Sequence, residues 1–346
     1  MPAIRVVQWT TGIVGSTALR AILDDPRLEL IGVFAHSPDK VGQDAGALAG
    51  RLPTGVLATD DVDALLDLRP DCVVYMPHWP DIDLLERILR AGSNVVTTAR
   101  LVNGEHYSDS AGERLRAAAA AGASTLVGTG MNPMFVPNIA LAATAMCREV
   151  HRISIVESLD CFLYDSPSMW TGYGFGKEPD TETLHKTLWE TEPDYREALD
   201  SLARGIGLEI DDITLDVRCA VAVEDRDLGF MRIGAGTVAG IDATWSGRRQ
   251  GQEVAQLRTI WTLGSALGHR QEPEWKILYG YKIQVDAEPK VRLKLSFVPG
   301  DLNNFDIGIT TAMPAVNAIP AVVSAAPGVL PIAALPTVTG RGQLRK

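Results

Sequence analysis

Short apolar runs alternate with helix-length segments through the first 150 residues, and this limits the fold more than any other feature. Residues 4–9 read as a strand, followed by a glycine-bearing turn and a helix over 14–24. A second strand is expected at 28–35 and a third at 55–59, ahead of a helix over 62–68. Compact apolar strands at 72–76 and 94–98 flank a helix over 82–91. A helix over 111–121 then leads into a strand at 124–128. Strands alternating with helices of this length imply βαβ crossovers and a parallel sheet covered on both faces.

After about residue 150 the pattern changes. Ile213, Leu215, Val217, Cys219, Val221 and Val223 are apolar at every second position, with Asp216, Arg218 and Glu224 between them. Ile277, Tyr279, Tyr281, Ile283 and Val285 repeat the pattern, as do Val291, Leu293, Leu295 and Phe297. Such alternation marks strands with one buried and one polar face, the habit of antiparallel sheets. A helical region over 181–203, interrupted by Pro193, covers one side. The expected fold is therefore α/β. A dinucleotide-binding parallel sheet over 1–150 is followed by an α+β domain with a mainly antiparallel sheet over 151–306, and then by a C-terminal segment, 307–346.

That last segment carries no charged residue from 307 to 340. A membrane-spanning helix needs about 20 continuous apolar residues, and Pro314, Pro320, Pro327, Pro331 and Pro336 interrupt the run. It reads as buried protein, with a helix over 310–326. The whole chain has 346 residues and a formal charge of −11. An acidic balance argues against nucleic acid or an anionic membrane as partner through a broad basic face. The N-terminus lacks a signal peptide's basic start and apolar stretch, and the four cysteines are widely spaced with no CxxC. A cytoplasmic protein with reduced thiols and no metal site is expected.

The turn after the first strand reads Thr10-Thr11-Gly12-Ile13-Val14-Gly15. Dinucleotide sites use GxGxxG at this place, with glycines for the tight turn, close approach to pyrophosphate and close helix packing. Thr10 stands at the first glycine position, while Gly12 and Gly15 keep the second and third. The amides of Gly12, Ile13 and Val14 would meet pyrophosphate at the positive end of the helix. The second strand ends in Ala35-His36-Ser37-Pro38-Asp39-Lys40, with no acid at its tip to bind a ribose 2′-hydroxyl. Ser37 and Lys40 suit a 2′-phosphate, which favours NADP; Asp39 keeps NAD as the alternative.

In open α/β sheets ligands lie beyond the carboxyl ends of the strands. Three loops emerge there: Met76-Pro77-His78-Trp79, the stretch from Ala99 to Tyr107, and Gly128-Thr129-Gly130-Met131-Asn132-Pro133. Met76, Pro77, Thr98 and Asn132 are the expected nicotinamide neighbours. Glu105, His106 and Tyr107 form the first titratable cluster, suited to handling the proton exchanged at nitrogen or oxygen. The alternative is a solvated loop leading into a helix whose Ser110 and Glu113 make a capping box. Between Thr171 and Lys177, glycines alternate with aromatics, as in a mobile lid that brings Tyr173 and Phe175 over an apolar substrate; the alternative is a surface loop tucked on the sheet.

Several blocks resemble one known group: Gln8 to Gly15, Asn94 to Thr98, Gly128 to Pro133, Gly174-Phe175-Gly176, Leu228-Gly229-Phe230, Ala235 to Gly240 and Ala315 to Pro320. The group is the dihydrodipicolinate-reductase-like oxidoreductases, with 2,4-diaminopentanoate dehydrogenase and the native amine dehydrogenases. The resemblance implies a nicotinamide-dependent enzyme acting on a C=N or C=O bond of a small molecule, most sharply by reductive amination. It also implies a homodimer and a C-terminal segment that returns to the first domain, bringing Asn317 near the cofactor. Burial between domains or against a second subunit would then explain that segment's lack of charge. Three departures stand out. The paired histidines of true dihydrodipicolinate reductases are missing, and Ala99-Arg100-Leu101 replaces the Glu-Lys-Pro of sugar-type dehydrogenases. Arg100 or Leu101 stands where amine-forming relatives place a glutamate, leaving Glu105 as the nearest substitute. The alternatives are a carbonyl or imine reductase that uses no free ammonia, and a non-catalytic nucleotide sensor.

Overall fold

The computed structural model describes residues 2–264, 275, 277–298 and 306–340. In chain order the first part runs β1 (Ile4–Trp9), α1 (Ile13–Leu23), β2 (Leu28–Phe34), α2 (Ala45–Ala49), β3 (Ala58–Thr59), α3 (Val62–Asp67), β4 (Cys72–Tyr75), α4 (Ile82–Arg90), β5 (Asn94–Thr97), α5 (Ala111–Gly122) and β6 (Thr125–Gly128). A short helical turn, Met131–Phe135, follows. Next come α6 (Val136–Thr144), β7 (Glu149–Asp160), α7 (Pro167–Gly172), α8 (Thr181–Thr191), α9 (Pro193–Gly205), β8 (Asp212–Val221), β9 (Arg226–Asp227), β10 (Arg232–Ile233), β11 (Val238–Arg249), β12 (Gln252–Thr262), β13 (Gly280–Glu288) and β14 (Val291–Ser296). The chain closes with α10 (Ile309–Val323) and β15 (Gly328–Leu330).

Two compact units result: Met1–Phe135 with Asp306–Lys346, and Val136–Phe305. The first is built on a sheet in the order β15-β6-β5-β4-β1-β2-β3, with every pairing parallel. Its strands are apolar throughout because both faces are covered. Val7, Trp9, Val73, Tyr75 and Val95 pack with Leu65, Leu85, Ile88, Leu89 and Leu115 of α3, α4 and α5. On the other face Val6, Cys72, Val74, Val96 and Val127 meet α1 and α10. The strand order reverses between β1 and β4, which opens a crevice at their carboxyl ends.

The uncharged segment is explained here. Ala312, Ala315, Val316, Ala318, Ile319 and Val322 of α10 are almost fully buried against this sheet, and each valine or isoleucine side chain there contributes about 1.5–3 kcal/mol. Packing within the first unit, to which the segment returns, accounts for its lack of charge. Pro314 and Pro320 lie inside the helix. Among the described residues no helix is long and apolar enough to cross a membrane. Asp306 fastens the entry to α10. Its carboxylate accepts from Thr17 Oγ1 at 2.7 Å and from Arg20 of α1. Burial opposes ionisation, but these bonds, the Arg20 charge and the Gly308 N–H hold the Asp306 pKa below the usual carboxylate range.

The second unit carries a six-stranded sheet, β14-β13-β7-β12-β11-β8, antiparallel except between β7 and β12. Three of the alternating runs became β8, β13 and β14. The central strands β7, β11 and β12 have no counterpart in the sequence reading. Along β11 nearly every residue from Val238 to Gly247 is buried on one face or the other, so no alternation marks it. Residues 136–150, counted above with the first domain, fall in this unit because α6 packs on β7, β13 and α9.

Candidate functional site

The site is assembled where β1 hands over to α1. Thr10 has φ +71°, a left-handed conformation that a β-branched residue rarely adopts. Two polar bonds hold it: its N–H donates to Phe34 O at 3.0 Å, and Gln8 Nε2 donates to its carbonyl at 3.0 Å. Gly15 then packs α1 onto that bend. A Cβ there would lie 2.4 Å from Thr10 O, so the third glycine position admits no side chain. At Gly12 a Cβ would meet nothing within 4 Å. Gly12 and Ile13 are exposed at the first turn of α1, whose free amides form the open cradle that an anion needs.

Lys40 reaches this turn from beyond β2, and its Nζ donates to Thr11 O at 2.9 Å. Ser37, exposed, turns the chain back through its carbonyl, which accepts from the Lys40 N–H at 2.9 Å. Of the pair expected to hold a 2′-phosphate, Lys40 is therefore brought beside Thr11.

Gln8 Oε1 and Thr10 Oγ1 at this turn, and Thr129 Oγ1 just after β6, are buried with no hydrogen-bond partner among the described residues, as is Asn317 Oδ1 of α10. Orphaned atoms of this kind are costly unless a ligand or water completes them. Gly130 lies between Thr98 and Thr311: a Cβ on it would be 3.5 Å from Thr98 Cγ2 and 3.3 Å from Thr311 Cγ2. Asn132 is extended, with φ −131° and ψ 137°, as expected before proline. Met76 is buried at the end of β4. Thr129 and Thr311 had not been singled out in the sequence. Only their loop position could have signalled them.

The titratable cluster sits differently. Glu105 is turned to α5, where Arg116 Nη1 lies 3.3 Å from its carboxylate. Tyr107 donates its O–H to Arg100 O and packs against the α4–α5 side of the core. His106 is half-buried in the same loop. Ser110 makes no capping bond and has φ +53°, so the capping box is not formed. His78 and Arg100 lie nearer each other. The Arg100 guanidinium stands 5.1 Å above the Trp79 ring, and Trp79 contacts His78 edge-to-face. Partial desolvation first, and the Arg100 charge second, hold the His78 pKa below the usual imidazole value.

In the second unit the glycine–aromatic stretch is no exposed lid. Tyr173 and Phe175 are buried, packed with Trp170, and Tyr173 also touches Trp261. Tyr173 donates its O–H to Glu192 Oε1 at 2.6 Å. Among the described residues no group of three or more His, Cys, Asp or Glu could hold a metal ion.

Comparison with known proteins agrees with this architecture. The model of the 2,4-diaminopentanoate dehydrogenase C-terminal domain matches residues 135–343. An amine dehydrogenase of Streptomyces virginiae is 29% identical over 99% of this chain and 98% of its own. The structure of amine dehydrogenase from Mycobacterium smegmatis superposes with a TM-score of 0.81 at 24% identity, covering 98% of this chain and 97% of that one. The WlbA dehydrogenase of Bordetella pertussis, solved with NADH and UDP-GlcNAcA, has a TM-score of 0.56 at 14% identity, over 93% and 88% of the two chains. With a family model over more than half its length, a parallel nucleotide-type sheet and an open glycine turn, this chain belongs to the 2,4-diaminopentanoate dehydrogenase family, as an amine-dehydrogenase-like NAD(P)-dependent oxidoreductase.

Proposed function

We propose that the chain reduces the C=N bond formed between a small carbonyl compound and ammonia, with NADPH as the preferred reductant. The observation that carries this reading is the β1–α1 turn, closed at Gly15 and open at Gly12, in a chain of this family. Its fit to a dinucleotide is supported by the orphaned oxygens of Gln8 and Thr10 at the turn and of Thr129 after β6. When bound, the reduced nicotinamide supplies the two electrons and hydrogen that the imine carbon takes up, while the nitrogen takes a proton. Carbonyl, ammonia, NADPH and a proton thus give amine, water and NADP+.

The chain's own residues would divide the work. Amides of Gly12, Ile13 and Val14 hold the pyrophosphate, and Lys40 with Ser37 holds the 2′-phosphate. Met76, Pro77, Thr98, Asn132 and Asn317 position the nicotinamide end. For the proton that the imine nitrogen takes up, His78 competes with Glu105: its lowered pKa makes the protonated imidazole a stronger acid, better able to hand a proton on. Glu105 is engaged with Arg116. The cytoplasm is the proposed compartment, supported by four free cysteines, and a homodimer is the proposed assembly.

Incubation of the protein with NADPH or NADH, ammonia and a panel of small ketones and aldehydes tests the proposal. The expected result is ammonia-dependent oxidation of NADPH with a lower KM than for NADH. No oxidation across the panel would refute it, and a rate indifferent to ammonia would favour a plain carbonyl reductase.

A further inference from the structure

The strand order of the first sheet reverses between β1 and β4, so the loops that follow these two strands form the banks of its crevice. The β1 loop is the glycine turn. The β4 loop reads Met76-Pro77-His78-Trp79-Pro80-Asp81, and Trp79 is its largest side chain. This loop is stiff. Met76 is buried at one end, and Pro80 disfavours helical backbone at Trp79 itself. At the other end the Asp81 N–H donates to Tyr75 Oη at 3.1 Å, and the Asp81 carboxylate caps α4 by accepting from the Leu84 N–H at 3.0 Å.

The indole is held as firmly as its backbone. The Arg100 guanidinium, from the loop after β5, stands over its ring, and His78 meets it at 85° with centroids 4.7 Å apart. Trp79 nevertheless keeps 47% of its surface exposed, whereas the other tryptophans are buried or half-buried. A freely moving exposed indole would be an ordinary surface residue. One fixed in place beside a ligand crevice loses little further freedom when an apolar group lies against it. An aliphatic group would gain only from the area it covers. An aromatic ring gains the ring–ring interaction besides, offset-stacked or edge-on.

We propose that Trp79 sets the substrate class, as the shelf for an aromatic ring borne by the carbonyl compound. Aryl-substituted ketones are then preferred to small aliphatic ones. The inference rests on the reductive-amination reading above for the reaction, but on the β4 loop alone for the ring. Saturation-transfer NMR tests it with NADP+ present, which cannot reduce a ketone, observing the ring protons of phenylacetone and the methyl protons of acetone. Phenylacetone should bind saturably and roughly tenfold or more tighter than acetone. That preference should be lost in Trp79→Ala and largely kept in Trp79→Phe. In assays with NADPH and ammonia, the phenylacetone-to-acetone ratio of kcat/KM should fall by a similar factor in Trp79→Ala, chiefly through KM. Equal binding of the two ketones, or a preference that survives in Trp79→Ala, would overturn the proposal. If that variant fails to fold, Trp79→Leu against Trp79→Phe decides, since both are bulky and apolar and only the second is a ring. Trp79-dependent binding of phenylacetone by a protein that never oxidises NADPH would refute the reaction and leave the shelf standing. Ammonia-dependent turnover with no preference for the ring would do the reverse.

Discussion

Alanine at Gly15 and alanine at Gly12 should fail in opposite ways, though the two glycines are three residues apart on one turn. At Gly15 the new Cβ lies 2.4 Å from Thr10 O, 3.0 Å from Thr10 C and 3.3 Å from Gln8 Nε2. Two of these are backbone atoms of a bend already pinned by Phe34 and Gln8, so the helix must shift. Overpacking of this sort costs about 1–3 kcal/mol, and the gain in helix propensity over glycine returns somewhat under 1 kcal/mol. A net loss of about 1 kcal/mol is expected. At Gly12 the Cβ meets nothing, and φ −72° with ψ −166° suits alanine, so stability should stay within about 0.5 kcal/mol of the parent. Nucleotide affinity should nevertheless fall roughly tenfold, about 1.4 kcal/mol, because the methyl occupies the open face of the cradle. Urea unfolding without cofactor and NADPH titration followed by fluorescence measure the two effects. A Gly15→Ala protein as stable as the parent, or a Gly12→Ala protein that loses stability and keeps its affinity, would refute the packing argument.

Lys40→Ala should weaken NADPH binding roughly tenfold or more while leaving NADH within about twofold, since a charged hydrogen bond to phosphate is worth about 1.5–3 kcal/mol; equal losses for both cofactors would refute the assignment. Asp306→Asn should cost about 1 kcal/mol near neutrality, a figure already reduced for solvent exposure. Because the folded pKa of Asp306 is depressed, its contribution is full above the unfolded value of about 3.9 and is lost as pH falls towards the folded pKa. Urea curves of parent and variant should therefore converge in acid. For the proton, His78→Gln should lower kcat by roughly a hundredfold, whereas Glu105→Gln should stay within about threefold; the reverse pattern in steady-state assays would return the role to Glu105.

The parallel sheet was legible because its strands carry an unbroken apolar signal and its helices separate them cleanly. β8, β13 and β14 were legible for a different reason, their alternation. β7, β11 and β12 carry neither signal: Asp242 and Ser246 are buried in β11 between hydrophobic neighbours, and Asp242 is satisfied by Arg218 and Arg258 on the adjacent strands. A polar residue reads as exposed until its cross-strand partner is known. The bend and close packing of the glycine turn were readable from position alone, because backbone geometry dictates them. The surroundings of Glu105 were not. Whether a loop carboxylate faces a ligand or a helix depends on a distant residue, here Arg116, which no local pattern announces.

Thr10 shows how a local rule yields at such a site. Glycine is the residue that accepts φ +71° without strain, and a β-branched side chain there costs about 1–3 kcal/mol. A second cost falls on the same residue, since its buried Oγ1 has no partner. Both are opposed by Gln8, whose amide nitrogen caps the Thr10 carbonyl while its own oxygen is left unpartnered towards the carboxyl edge. Strain and unmet polarity concentrated in two residues, with Gly15 packed against them, are hard to account for as structural economy. They follow directly if a polar ligand completes both oxygens when it occupies the turn, because the binding free energy then offsets the local strain.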